Sequence, residues 1–371
     1  MNEKHQIKVL MLVPNLLVAN GVASFVMNYL RNIDHEKIQI DIASYQFGSS
    51  IYYSEVETFG GNVFFIPHPK KIYKHLSMCK KILFEGHYDI IHDNTLHISI
   101  PMMWCAQNAG IPVRILHSHS SQMGETKLKA IRNRLFLPIL RGLATDYAAC
   151  SKVAGENLFG KKDFTVIPNV INAEKYVFDE NKRAQIRKFM QAEDKVVIGT
   201  VGRLAYPKNP FFAMDVFKEL LKKVPNAEYW WIGSGTLDNE VQKYVKQQGL
   251  ENNVKLLGSR NDVIDLYQAM DVFFLPSLFE GLPLTGIEAQ AMGLPMVVSD
   301  TVTDEMVYTD LVEYVGLKQN KIIWIKKIQK MIKNKILRDK YSINLQQSIF
   351  ADKNCAEILE KLYLNILNRS L

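Results

Sequence analysis

The sequence predicts an α/β protein built from two doubly wound, Rossmann-like domains. Three observations predict it. Short, continuous apolar runs recur along the chain, as parallel strands buried on both faces require. Segments of helical period separate most of these runs, which is the alternation of a parallel α/β sheet. The pattern then pauses once, across the charged stretch DENKRAQIRKF (179–189), and starts again. A chain of 371 residues is also long for one core and suits two.

The first half supplies strand-like runs at 7–13 (IKVLMLV), 39–45, 62–67, 89–94 (DIIHDN) and 113–119 (VRILHSH). After the first, Asn20-Gly21 punctuates, and Val22, Phe25, Val26, Tyr29 and Leu30 recur at helical spacing. TDYAACS (145–151), a helix-like KVAGENLF and TVIPNVI (165–171) read as the last units of this domain, taken as residues 1–178. The second domain, 190–350, repeats the alternation, with runs at 196–202 (VVIGTVG), 227–233, 253–258, 271–276 and 295–300. Near the end, CAEILEKLYLNIL (355–367) is amphipathic, with Ile358, Leu359, Leu362 and Ile366 on one face.

Composition narrows the partners. Forty-five Lys and Arg against 38 Asp and Glu give a modest excess of +7, suited to anionic small molecules or an anionic membrane surface. No zinc-finger spacing or aromatic RNA-binding signature is present, so no nucleic-acid partner is expected. Cys79, Cys105, Cys150 and Cys355 are scattered without a Cys-x-x-Cys pair, which fits a reduced, cytoplasmic protein. The first apolar run is broken by Pro14, Asn15 and Asn20 and reads as neither leader nor span. Membrane contact is therefore expected only at the periphery. The stretch KLKAIRNRLFLPILRGL (127–143) suits it, with five cations, no acids and Leu128, Ile131 and Leu135 on one face. An ordinary surface helix is the alternative, and Pro138 is expected to limit its length.

Ligands of open α/β sheets bind beyond the carboxyl ends of the strands. GRLAYPKNP (202–210) follows one such end and carries Arg203 and Lys208. An Arg fork and a Lys point charge can stabilise a diphosphate leaving group without a metal. No Asp-x-Asp occurs in the chain, so one common divalent-metal motif is missing, and no cofactor is expected. Two solvated surface charges are the plain alternative.

PSLFEGLPLTGIEAQAMGLPMVVSD (276–300) is sharper. Glu280 and Glu288 lie seven residues apart, Gly281 and Pro283 make a turn, and a helix runs from about Leu284 to Met292. Free N–H groups at a helix start bind phosphates. Glu288 is placed to accept hydrogen bonds from ribose hydroxyls, and Glu280 to face a sugar. The alternative is two acids that balance helix-end charge.

Three other places are weaker alone. NGVAS (20–24) offers a turn and a helix start but is not Gly-x-Gly-x-x-Gly, which disfavours a dinucleotide site. Gly233-Ser234-Gly235 reads as a plain turn. His117-Ser118-His119 ends a strand, where a His can hydrogen-bond a sugar hydroxyl, cap, or serve structure.

With these residues in view, the chain resembles the family 4 retaining glycosyltransferases of the two-domain GT-B fold, whose domains face a central cleft. It is most similar to the bacterial branch that builds capsular and exopolysaccharide repeat units. NGVASFVMNYL, HSHS, AACSKVAGENLFG, VIPNVIN, GRLAYPKNP, LLGSRNDVIDLYQAMDVFFLPSLFEGLPLTGIEAQAMGLPMVVSD and FADKNCAEILEKLY carry the resemblance, in order and over nearly the whole chain.

The resemblance implies a metal-independent transfer of a sugar from a nucleotide-diphosphate donor, a UDP-sugar by analogy, to a saccharide or lipid-linked saccharide. It implies that Arg203 and Lys208 hold the diphosphate and that Glu288 binds ribose. Glu280, with Gly281, Leu282, Leu284 and Thr285, would engage sugar and phosphate, and Arg260 would lie by the base. His119 would sit near the reacting sugar, with His117 as second choice. Gly21 would stand at the cleft mouth, and Asn169 is the clearest match in its loop. Residues 355–371 would pack back on the first domain. The competing readings are a sugar-nucleotide epimerase of similar fold, a non-catalytic nucleotide-sugar-binding subunit, and, least supported, a dehydrogenase.

Overall fold

The computed structural model describes residues 6–17, 20–46, 50–124, 127–334 and 336–370, the side chains of 127, 355 and 370 aside. The chain forms two compact units, Met1–Val170 with Asp352–Leu371, and Ile171–Ala351.

In the first unit β1 (Ile7–Val13), β2 (Ile38–Ser44), β3 (Val63–Phe65), β4 (Ile90–Asp93), β5 (Val113–Ser118), β6 (Asp146–Ala149) and β7 (Thr165–Val166) make one sheet. Their order is β3-β2-β1-β4-β5-β6-β7, and every pairing is parallel. Val9, Met11 and Val13 of β1 are buried on one face with Leu10 and Leu12 on the other, which explains the unbroken apolar run. The helix Gly21–Leu30 begins where Asn20 caps it: the Asn20 Oδ1 accepts from the Val22 and Ala23 N–H groups at 2.9 and 3.2 Å. Its Phe25, Val26 and Tyr29 pack on the sheet, together with Leu359, Leu362, Tyr363 and Ile366 of the last helix, Asp352–Ser370. Four such buried side chains, at about 1.5–3 kcal/mol each, hold that helix to the first unit.

The second unit sets β8 (Val196–Val201), β9 (Ala227–Ile232), β10 (Val254–Gly258), β11 (Val272–Leu275), β12 (Met296–Ser299) and β13 (Val312–Val315) in the order β10-β9-β8-β11-β12-β13, again all parallel. Trp231, Phe217, Phe274 and Trp324 fill its core. In both sheets the order reverses beside the first strand, at β1/β4 and at β8/β11, so the loops after these strands open a crevice suited to a ligand.

The structure departs from the sequence reading in three places. The second unit begins at Ile171, and the charged stretch 179–189 is no connector. It is the helix Glu180–Phe189, capped by Asp179, and Arg183 ties it to the unit by donating to the carbonyls of Gln268 and Met270 at 2.9 and 2.8 Å. Pro138 does not limit its helix, which runs Lys127–Leu143. Buried Leu137, Leu140 and Leu143 hold that helix against the unit while Leu128, Ile131 and Leu135 face outward, so packing outweighs the one backbone bond a proline removes. The edge strand β13 was not expected, since VEYV is short and half-buried.

Among the described residues no helix is long and apolar enough to cross a membrane. Cys79 and Cys105 are buried free thiols, and Cys150 is buried as well.

Candidate active site

In the second unit two loops from the β8/β11 reversal are laced together. The Leu278 N–H donates to the Pro207 carbonyl at 2.7 Å, and the Asn209 amide donates to the Pro276 carbonyl at 3.2 Å. This brings the Lys208 Nζ to 2.6 Å from Glu280 Oε1, with the two side chains only 16% and 13% exposed. Ser277 Oγ donates to the same oxygen at 2.6 Å, and its own carbonyl is held by the hydroxyls of Ser299 and Thr301. Glu280 Oε2 makes no hydrogen bond among the described residues and can accept one from a ligand hydroxyl.

Backbone crowding sets the Lys208 loop. Gly202 has φ +154, and a Cβ there would lie 2.8 Å from Lys208 Cε. Gly233 has φ +130, and a Cβ there would meet the Gly202 carbonyl at 2.3 Å. The Trp231 Nε1 donates to that same carbonyl at 2.9 Å. Gly233 is therefore more than a plain turn: it lets one strand end press against the loop that carries Arg203 and Lys208. Arg203 lies exposed on that loop, next to Gly202.

The helix Leu284–Ala291 starts beside this pair. Its N-cap is Pro283, which offers no side-chain cap, and the N–H groups of Leu284 and Thr285 make no hydrogen bond among the described residues. Thr285 Oγ1 is buried and likewise has no partner there. A buried hydroxyl left in that state costs about 1–3 kcal/mol, which an anionic ligand at the helix start would recover. Gly281 and Leu282 are buried in the turn before it.

Glu288, one turn on, accepts from Tyr176 Oη at 2.8 Å and from Tyr267 Oη at 2.9 Å. Burial raises its pKa, against the opposing effect of the two phenols and of Lys208. Arg260 forms an ion pair with Asp262 at 2.7 and 2.5 Å in the loop after β10. Lys208, Glu280, Thr285 and Glu288 therefore gather around one helix start, on the loop side of the sheet where a diphosphate is expected.

In the first unit the corresponding reversal brings a second cluster together. His119, just past β5, has its Nε2 2.7 Å from Asn94 Oδ1 at the end of β4. His117 is buried. Its Nδ1 lies 2.9 Å from His92 Nε2, and His92 Nδ1 lies 2.7 Å from Tyr363 Oη. The rings of His117 and His119 stack at 4.0 Å. Burial depresses all three histidines, His92 and His119 to about 3, so the cluster is neutral at physiological pH. Among the described residues no three His, Cys, Asp or Glu side chains converge to hold a metal ion. Gly21 is the exposed first residue of its helix, with open space where a Cβ would stand, while Asn20 takes two of that helix's free N–H groups. Asn169 is buried in a loop whose neighbouring carbonyls, Pro168 and Val170, accept from Tyr29 and Asn28.

Comparison with known proteins decides the family. Residues 19–175 match the model of glycosyltransferase family 4, and residues 181–348 match that of the group 1 glycosyl transferases. EpsF of Bacillus subtilis (strain 168), assigned as a glycosyltransferase, is 30% identical over 303 residues, 77% of either chain. The chain belongs to glycosyltransferase family 4. An Escherichia coli relative, UDP-Gal:alpha-D-GlcNAc-diphosphoundecaprenol alpha-1,3-galactosyltransferase, is 31% identical over 61% of this chain and 62% of its own length. The capsular polysaccharide biosynthesis glycosyltransferase CapH of Staphylococcus aureus is 28% identical over 56% of this chain and 59% of its own. Anabaena HepE, solved with UDP and glucose, shares the fold with a TM-score of 0.78 over 96% of this chain and 99% of its own, at 18% identity.

For this glycosyltransferase the sequence named Lys208, Glu280, Thr285 and Glu288, which the structure gathers. It missed Ser277, Tyr176, Tyr267, Asn94, His92 and Tyr363. Only Asn94 and His92, in the polar end of the run DIIHDN, carried a local signal: polar residues at a strand end.

Proposed function

We propose that this glycosyltransferase moves a hexose from a UDP-sugar to a saccharide or lipid-linked saccharide of a bacterial surface polysaccharide, with retention of configuration and without a metal ion. The Lys208–Glu280 pair at the open start of the helix Leu284–Ala291 carries the reading. The Lys208 and Arg203 cations and the free N–H groups stabilise charge that grows on the departing diphosphate. Glu280 Oε2 orients the sugar, Glu288 orients the ribose, Arg260 lies by the base, and His119 contacts the sugar. The acceptor hydroxyl attacks from the leaving-group face and gives its proton to the departing phosphate, so no dedicated base is required. The donor named for the E. coli relative, and the UDP bound in HepE, support the choice of nucleotide.

The test is transfer from a panel of α-linked UDP-hexoses to a lipid-linked saccharide in excess EDTA, with the product's anomeric carbon read by NMR. An α product in EDTA is expected. A β product would overturn retention, and activity that EDTA abolishes and magnesium restores would overturn metal independence.

The raised pKa of Glu288 gives a pH dependence. The folded protein takes up this proton before an ordinary glutamate would, so the group's contribution to stability grows as pH falls through the raised value. The carboxylate that accepts from ribose is lost over the same range. UDP-hexose, whose diphosphate diester does not titrate there, is expected to bind progressively more weakly by calorimetry as pH falls through that raised value, and Glu288→Gln to flatten that slope.

The helix Lys127–Leu143 is the proposed contact with an anionic inner membrane surface. Leu128, Ile131 and Leu135 are 81%, 59% and 71% exposed, and Lys129, Arg132 and Arg134 lie between them. Flotation with anionic vesicles at low salt is expected, and its absence would remove this contact.

A further inference from the structure

We infer that Asn94 is a positioning residue that fixes the proton of His119 on Nε2, so that His119 presents its Nδ1 lone pair to a sugar hydroxyl. The orientation of the Asn94 amide is the first step. Its Nδ2 donates to the carbonyls of Leu12 and His92 at 3.2 and 3.3 Å. Both partners only accept, so the reversed amide would set oxygen against two carbonyl oxygens. Oδ1 therefore faces His119, 2.7 Å from Nε2. An amide oxygen only accepts, so Nε2 carries the hydrogen.

The ring is held in this pose from both sides. The His117 ring stacks on it at 4.0 Å and 27°, and Phe25 meets it at 4.9 Å and 64°. Turning the ring over would break the bond to Asn94 and place carbon at the amide oxygen. Its remaining neighbour His92 is held neutral by burial, as His119 is itself. Nδ1 is then an acceptor, and no described residue hydrogen-bonds to it.

The consequence is specificity. A neutral Nδ1 attracts a hydroxyl and repels a carboxylate. The donor sugar must present a hydroxyl where it meets His119, which favours a neutral hexose over the matching uronic acid. This rests on the reading of His119 as a sugar contact.

Long-range proton–nitrogen NMR of the histidine-labelled full chain tests it, with His119→Ala identifying the signals. Wild type is expected to show Nε2–H alone, Asn94→Asp to keep it because a carboxylate also only accepts, and Asn94→Ala to admit a measurable share of Nδ1–H, since a free neutral imidazole only leans towards Nε2–H. Asn94→Ala is also expected to lower kcat about tenfold with little change in KM, and to narrow the preference for UDP-hexose over UDP-hexuronate. Nδ1–H in the wild type, or an unchanged tautomer in Asn94→Ala, would overturn the assignment. If the tautomer behaves as stated while His119→Ala keeps full activity, the sugar contact fails and the role of Asn94 in specificity falls with it.

Discussion

Lys208→Ala is expected to lower kcat by about two to three orders of magnitude, the usual loss on removing one preorganised group that faces developing charge. The substitution removes a cation from the proposed diphosphate side and also leaves Glu280 held only by Ser277. Both side chains are largely shielded from water, so bulk solvent and salt replace the lost charge poorly. Glu280→Ala is expected to be comparably damaging, because it frees Lys208 and removes the proposed acceptor for the sugar. The double variant should lose much less than the product of the single losses, since the two groups act as a unit. Steady-state kinetics of the three variants checks this. Near-wild-type kcat in Lys208→Ala would contradict the role given to the pair.

Asp271→Ala is expected to have the largest effect on stability, about 3 kcal/mol, the low end of the scale for breaking a buried ion pair from one side, since Asp271 is partly buried. Asp271 accepts from Arg183 at 2.5 Å, from Arg187 at 3.2 Å and from the Val197 N–H at 2.7 Å. Arg338 joins the same group. Burial, then the neighbouring Arg183, lowers its pKa to about 9, and it shares the carbonyls of Gln268 and Met270 with Arg183. Without the carboxylate three guanidiniums face one another around those carbonyls. They close the helix Val263–Ala269, which carries Tyr267 to Glu288. The urea midpoint is therefore expected to fall by about 1–2 M, with donor affinity falling alongside. An unchanged midpoint would contradict this.

The fold was legible because parallel strands buried on both faces write themselves as apolar runs. IKVLMLV is read correctly from end to end as β1, and VVIGTVG runs one residue past β8. Elements that depend on context were not legible. DENKRAQIRKF looks like a solvated connector, yet its arginines are spent on carbonyls some 85 residues away. Pro138 looks like a stop, yet the packing of Leu137 and Leu140 carries the helix through it.

The site divides in the same way. Glu280, Thr285 and Glu288 share one strand-to-helix turn, so their spacing is visible in the sequence. The phenols that hold Glu288 come from 112 and 21 residues away, and Tyr363 reaches His92 from 271 residues away. Nothing in the local sequence distinguishes such tyrosines from core aromatics. Asn20 reads in the sequence only as turn punctuation, and the structure gives it a task in capping the helix Gly21–Leu30.

A crystal structure of the full chain with UDP, grown in EDTA, is the most direct test of the proposed diphosphate site. The expected result is a diphosphate within hydrogen-bonding distance of Lys208 Nζ and of the Leu284 or Thr285 N–H, with Glu288 reaching the ribose. A diphosphate that lies away from the start of the helix Leu284–Ala291, or that binds only once a divalent metal is supplied, would contradict it.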